Sequence, residues 1–349
     1  MIAHLESAIG RKLNLIGCGL HLNELPLRHV FTLLDGKSTS ATGFKGKIGK
    51  QLDAAINKEP VIDFEAIPTE LPDLDEEVAR DLSTDQNLMY RYLKGIASGQ
   101  LDQRTAKAQL GPLNHSRWLT LAVRILALYS RTVEPCMELK ILANFVQQVY
   151  GPFWFEYKKA ETFLEGPRIL HKMAQSIVNM NFPVDTPAEL KENVVNEAIN
   201  PLRRNAFCCL GENFLLSMIY SKDEDLRMKG IDKVIALKGE PSLIHKVRPP
   251  VLNINARQWS EMVDLETLVS AVPAYLNKKS LEELEGMRDE PGEPPNYPIH
   301  SQTVERAVKL VSEATKKSYN WDKQYMSILS TVKSRNERPM FGSKKDYVI

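Results

Sequence analysis

Apolar residues along this chain recur mainly at helical spacing. Ser83-Thr84-Asp85-Gln86 reads as a capping box, in which a hydroxyl and an amide satisfy each other's backbone N–H groups. Leu88, Tyr92 and Ile96 follow on one helical face. The run 116–129 is apolar on nearly every side, with Arg124 at its centre, and predicts a buried helix. After Glu134-Pro135 the pattern resumes with Leu142, Phe145, Val146 and Val149. Pro152 is expected to end that helix and to open the aromatic cluster Phe153, Trp154, Phe155, Tyr157. Further helices are predicted over 162–180, 186–200, 212–220 and 224–237. Strand signals are confined to 13–20, 61–64 and 251–254. The stretch 286–298 (GMRDEPGEPPNYP) holds four prolines and two glycines, which no helix or central strand tolerates, so it predicts a linker. Beyond it Val304, Ala307, Val308 and Val311 form one apolar stripe, with Ser301 or Thr303 as the helix cap. No internal repeat is evident.

Composition narrows the classes. At 349 residues and roughly 150 residues per domain, the chain has room for about two domains and a real core. Four cysteines exclude a disulfide scaffold and suggest a reducing compartment. The N-terminal residues lack a basic region followed by an apolar one, and the most apolar stretch is far short of the ~20 residues a bilayer needs. Secreted, membrane-spanning, collagenous and disordered classes are thereby set aside, leaving a nuclear or cytoplasmic location. The net charge of +1 hides an asymmetry. Nine acidic residues and one arginine fall within 63–85, which predicts a solvated loop. Ten Lys/Arg stand against five Asp/Glu within 301–349, a basic segment able to follow a phosphate backbone or simply to solubilise the chain.

Several short constellations carry candidate chemistry. Cys18 and His21 form a CxxH pair, two ligands three residues apart; a structural zinc takes four, and no second such pair exists. A packed cysteine beside a hydrogen-bonded histidine, at a strand-to-helix junction, is the other reading. Cys208 and Cys209 are adjacent, a poor geometry for joint ligation. Arg117-Trp118 opens the most apolar helix, where Arg can contact phosphate and Trp stack on a base, or where both simply anchor a helix start. Glu305 and Arg306 fall in the first turn of the last helix, where a carboxylate either complements the helix dipole or ligates a metal. The segment 43–50 (GFKGKIGK) is rich in Gly and Lys and able to bind anions through backbone N–H groups, or is an ordinary basic loop. Signatures for dinucleotide binding, P-loop, zinc-protease and serine-hydrolase chemistry are absent.

The order of these pieces is more telling than any one of them. CxxH at Cys18/His21, then Arg117-Trp118 opening a long helical region, then Ser301-Gln302-Thr303-Val304-Glu305-Arg306 before a final helix resembles hAT-type transposases. The wording LHLNELPLRHVFTLLDG, HSRWLTLAVRILALY and VERAVKLVSEA is also similar to a group of transposon-derived invertebrate proteins. The resemblance spans nearly the whole chain. It implies a ribonuclease-H-like α/β core interrupted by a large helical insertion, with two aspartates and a glutamate binding Mg²⁺ for DNA strand cleavage and transfer. Glu305 matches that glutamate, Cys18 and His21 match a structural motif after the second aspartate, and Trp118 matches an insertion residue near DNA. Both aspartates should precede the CxxH, yet none occurs in the 17 residues before Cys18, and Asp35 and Asp53 lie after it.

The resulting expectation is a mainly α chain with an incomplete ribonuclease-H-like core. Residues 1–45 form part of that core, 46–285 the helical insertion, 286–298 the linker, and 299–349 a core helix with a basic tail. Residues 1–45 and 296–349 are expected to meet. The expected function is that of a transposase-derived protein with residual DNA binding and no complete active site. Glu305 would ligate a metal only if aspartates were supplied upstream, completing a Mg-dependent transposase; otherwise no cofactor is expected. DNA contacts are assigned to Arg117, Trp118 and Arg306, a homo-oligomer is allowed, and no membrane partner is expected. The alternative is a helical protein-interaction protein with no nucleic-acid role.

Overall fold

The computed structural model describes residues 15–37, 46–54, 61–111, 118–160, 162–238, 250–268 and 276–295, with Ala8 and Phe44. Every regular element among them is helical, so the chain is mainly α. In chain order the elements are α1 (Gly19–Asp35), α2 (Lys47–Ala54), α3 (Glu76–Asp81), α4 (Thr84–Ser98), α5 (Gln103–Ala106) and α6 (Leu119–Tyr129). They continue with α7 (Met137–Phe145), a π-helical turn (Val146–Tyr150), α8 (Gly151–Lys159), α9 (Gly166–Val178), α10 (Ala188–Asn205), α11 (Gly211–Ile219), α12 (Glu224–Leu237) and α13 (Leu281–Gly286). The expected partial α/β core rests partly on 296–349, and the meeting of those residues with 1–45 lies outside the described residues.

The three strand expectations are corrected. Within 13–20, the residues from Gly19 onward are helical, and Cys18 is the helix N-cap in extended backbone. The apolar positions Leu20, Leu27 and Phe31 sit at helical rather than alternating spacing, and all are buried. Their packing against α10 and the α7–α8 rod outweighs the hydrogen bond that Pro26 removes inside α1. Segment 61–64 is irregular because its donors find helix ends instead of a neighbouring strand. The Ile62 N–H donates to the Ser130 carbonyl at 3.1 Å and the Ile67 N–H to the Ile96 carbonyl at 3.0 Å, both carbonyls at the C-terminal ends of helices. Segment 251–254 makes one comparable bond, from Asn253 N–H to Met262 carbonyl at 2.9 Å.

The acidic block is more ordered than a solvated loop. Asp75 accepts from Val78 N–H at 2.7 Å and so caps α3, whose last residue, Asp81, meets the buried Lys158 ammonium at 2.6 Å. The helix predictions hold well elsewhere: the Ser83/Gln86 capping box is present, and α9, α10, α11 and α12 fall on their predicted runs.

Pro152 does not end a helix. The α7 helix passes through the π turn into α8 without interruption of buried positions. The Gly151 N–H bonds to the Val146 carbonyl, the i→i−5 pairing of a π turn, just before the proline that has no N–H to give. The widened turn thus absorbs Pro152 where a regular α-helix would kink. Side chains fasten the turn from outside: Asn23 donates to the Tyr150 carbonyl at 2.9 Å, and Gln147 donates to the Leu93 carbonyl at 2.8 Å.

Buried arginines tie the helices together through backbone carbonyls. Arg124, at the centre of the apolar α6, donates from Nε and Nη2 to the Gly111 carbonyl at 3.1 and 2.8 Å and from Nη1 to the Leu52 carbonyl of α2. Arg131 joins the Ala106 carbonyl at 2.8 Å to the Tyr92 hydroxyl at 3.2 Å. Arg227 joins the Arg288 carbonyl at 2.8 Å to the Ser221 carbonyl at 3.1 Å. The rigid five-donor fork suits this work because carbonyls at helix and loop ends lack internal partners.

Candidate functional site

The CxxH pair sits at the start of α1. Cys18 has φ −69° and ψ 119°, and its carbonyl accepts the first helical bond from Leu22 N–H at 3.0 Å, while its side chain makes no cap bond. Residues at the N-cap and the third helical position share one face, which brings Cys18 and His21 to the same cavity. One turn further on, Glu24 is largely buried and its Oε2 lies 3.1 Å from His21 Nδ1. A carboxylate accepts, so Nδ1 carries the proton and Nε2 keeps its lone pair.

The cavity has a volume of about 40 Å³ and is closed by Tyr157, Phe163, Phe207 and Cys208. Close backbone approach builds it. A Cβ on Gly19 would lie 2.5 Å from the Tyr157 ring, and one on Gly166 would lie 2.6 Å from Cys208 Cβ, so both positions need glycine for space. Asn213 bridges the two sides, donating to the Leu15 carbonyl at 2.7 Å and to the Phe207 carbonyl at 2.9 Å. The Tyr157 hydroxyl is fully buried and has no hydrogen-bond partner. Burial first, and then the neighbouring Cys208, Cys209, Glu156 and Cys18, hold its ionisation well above the ordinary phenol range. The Cys208 and Cys209 sulfurs are 3.9 Å apart, and that contact together with burial pushes the Cys209 thiol up.

Trp118 lies on the opposite flank of α1. It precedes α6 in the left-handed region (φ 62°, ψ −15°), a conformation that costs a bulky residue roughly 1–2 kcal/mol. Its carbonyl accepts from Ala122 N–H at 2.8 Å, and its ring meets Phe31 of α1 edge-on, centroids 6.0 Å apart. Arg117, Glu305 and Arg306 lie outside the described residues. Among the described residues no group of three or more His, Cys, Asp or Glu is arranged to hold a metal ion, so they supply no magnesium or zinc site. The anion-binding segment 43–50 has an internal occupant: the Asp35 carboxylate accepts from Ile48 N–H and Gly49 N–H, each at 2.8 Å. No helix among the described residues is long and apolar enough to cross a membrane.

Glu24, Tyr157 and Cys208 join the site although the motif did not name them. Glu24 was available from the i, i+3, i+6 spacing of Cys18, His21 and Glu24; Tyr157 and Cys208 arrive from distant helices and leave no local signal. Set against protein-family models, curated proteins and solved structures, the chain matches none of them.

Proposed function

We propose that this chain is a transposase-derived protein that retains DNA binding, with strand cleavage outside its own capacity. Support comes from the order of the CxxH, Arg-Trp and Ser-x-x-x-Glu-Arg pieces along the sequence, read as an hAT-type arrangement. The observation that carries the reading is the contact between Phe31 and Trp118, which joins the helix begun by CxxH to the helix begun by Arg-Trp. Two motif-bearing elements far apart in sequence thereby share one core. The basic segment 301–349 and Arg117 supply the charge for phosphate contacts.

Fluorescence anisotropy with labelled duplex DNA across a salt series tests this. The expected result is binding at low salt whose logarithm falls linearly with log salt, a slope that Arg117→Gln or Arg306→Gln reduces by about one each. No binding at low salt, or binding without a salt slope, overturns the reading.

A second reading, a helical interaction module without a nucleic-acid role, is favoured by one observation. An open groove of about 1470 Å³ runs past Phe153, Leu164 and Trp259, edged by Arg168, which bonds to Glu165 and Glu156. The same salt series separates the two, since this module predicts no DNA binding at any salt.

A further inference from the structure

We propose that Cys18 is a nucleophilic thiol, served by His21 as base and Glu24 as the group that orients the base, and that its cavity accepts a small carbonyl-bearing carbon electrophile. The arrangement follows the logic of nucleophile, base and orienting acid on a single helix face: Cys18 and His21 line one cavity, and His21 Nδ1 is fixed by Glu24 at 3.1 Å. Side chains tilt toward the helix N-terminus, which directs His21 back toward Cys18. The early N–H groups of a helix have no intrahelical acceptors, and those at the start of α1 border the cavity.

An independent observation points to an occupant. Tyr157 lines the cavity, is buried to within 1% of its surface, and holds a hydroxyl with no partner. Buried hydroxyls are normally satisfied, and a carbonyl oxygen entering this space would accept from it. The space of about 40 Å³ admits only a few atoms, so the ligand is small, and the half-exposed His21 marks the side from which it enters.

For an acrylamide-type electrophile the step balances internally. The Cys18 thiol proton moves to His21 Nε2, the sulfur pair forms a bond to the β-carbon, and the C=C pair shifts to the carbonyl as an enolate. The α-carbon then takes the proton from His21. A thioether forms, nothing leaves, and no oxidant is required.

Acrylamide itself is the probe, with modification of each cysteine followed by peptide mass spectrometry in the folded full chain. Cys136 is exposed and provides an internal reference, while Cys208 and Cys209 are buried. The expected result is that Cys18 reacts faster than Cys136 by roughly tenfold or more, the lower edge of what a positioned base supplies. His21→Gln should bring Cys18 down to the Cys136 rate or below, and Glu24→Gln should lower it in part, with the Cys136 rate unchanged in both. Cys18 reacting no faster than Cys136 in the unaltered chain overturns the proposal. So does a Cys18-to-Cys136 ratio that His21→Gln leaves intact. The unaltered chain decides the first point even if a variant fails to fold.

Discussion

Two buried regions of this molecule treat polar groups in opposite ways. Around α6, Arg124 and Arg131 direct their donors to the carbonyls of Gly111, Leu52 and Ala106, so charge and helix ends satisfy one another. Around the start of α1, the Tyr157 hydroxyl is enclosed with no partner, beside two adjacent thiols and a cavity. The first region has its hydrogen-bonding needs met internally and reads as a structural joint. The second keeps a need unmet in an otherwise close-packed interior, which is where a ligand or a reaction finds room.

The strongest attack on this contrast is Arg124→Ala. It would strand the Gly111 and Leu52 carbonyls and open space in the core, with an expected loss of about 3–5 kcal/mol read from the denaturation midpoint. A loss below ~1 kcal/mol would mean that the carbonyls find water easily and that the joint is not one. Gly19→Ala pushes a methyl into the Tyr157 ring, and urea denaturation should show a cost of about 1–3 kcal/mol. Indifference there would show that the cavity wall gives way.

Removing one hydroxyl from each region gives the finest comparison. Tyr129→Phe loses a bond to the Glu65 carbonyl, 2.9 Å long, and should cost about 1 kcal/mol. Tyr157→Phe removes a hydroxyl that bonds to nothing and should be neutral or stabilising by up to ~1 kcal/mol. Equal costs in parallel melts would erase the distinction between the two regions.

The smallest effect concerns Asp102, which caps α5 next to the Arg131 joint. Donation from the Thr105 hydroxyl and backbone N–H, with help from Arg91, lowers its carboxyl from 3.8 to about 2. A depressed folded value stabilises above the unfolded one, and that contribution fades as pH falls from about 4 through about 2. Because Asp102 is well exposed, screening leaves a few tenths of a kcal/mol. Stability differences between Asp102→Asn and the unaltered chain should narrow over that interval in an acid titration.

Much of the helical scaffold was legible because its signals are local. The Ser83/Gln86 box, the face Leu88–Tyr92–Ile96 and the runs that became α9 to α12 each need only a few consecutive turns to be read. What escaped depends on distant partners. Ile62 looks like a strand residue until the Ser130 carbonyl appears opposite it. Pro152 looks like a stop because nothing local announces the widened turn before it. Arg124 sat oddly in an apolar run, and its reason is a carbonyl 72 residues away. For the site, the spacing of Cys18, His21 and Glu24 was in plain view, whereas the glycines that let Tyr157 and Cys208 close in became meaningful only with the neighbouring helices in place.

The π turn at Val146–Tyr150 has a consequence for how this chain can vary. A one-residue deletion within it would restore ordinary winding and turn every residue of α8 by about 100° about the axis. Phe155 and Tyr157, now inward, would swing off the core, and Lys158 would leave Asp81. Length in this rod is therefore a counted quantity. Substitutions along it can be absorbed singly, but its phase can be reset only by paired insertion and deletion within the same few turns.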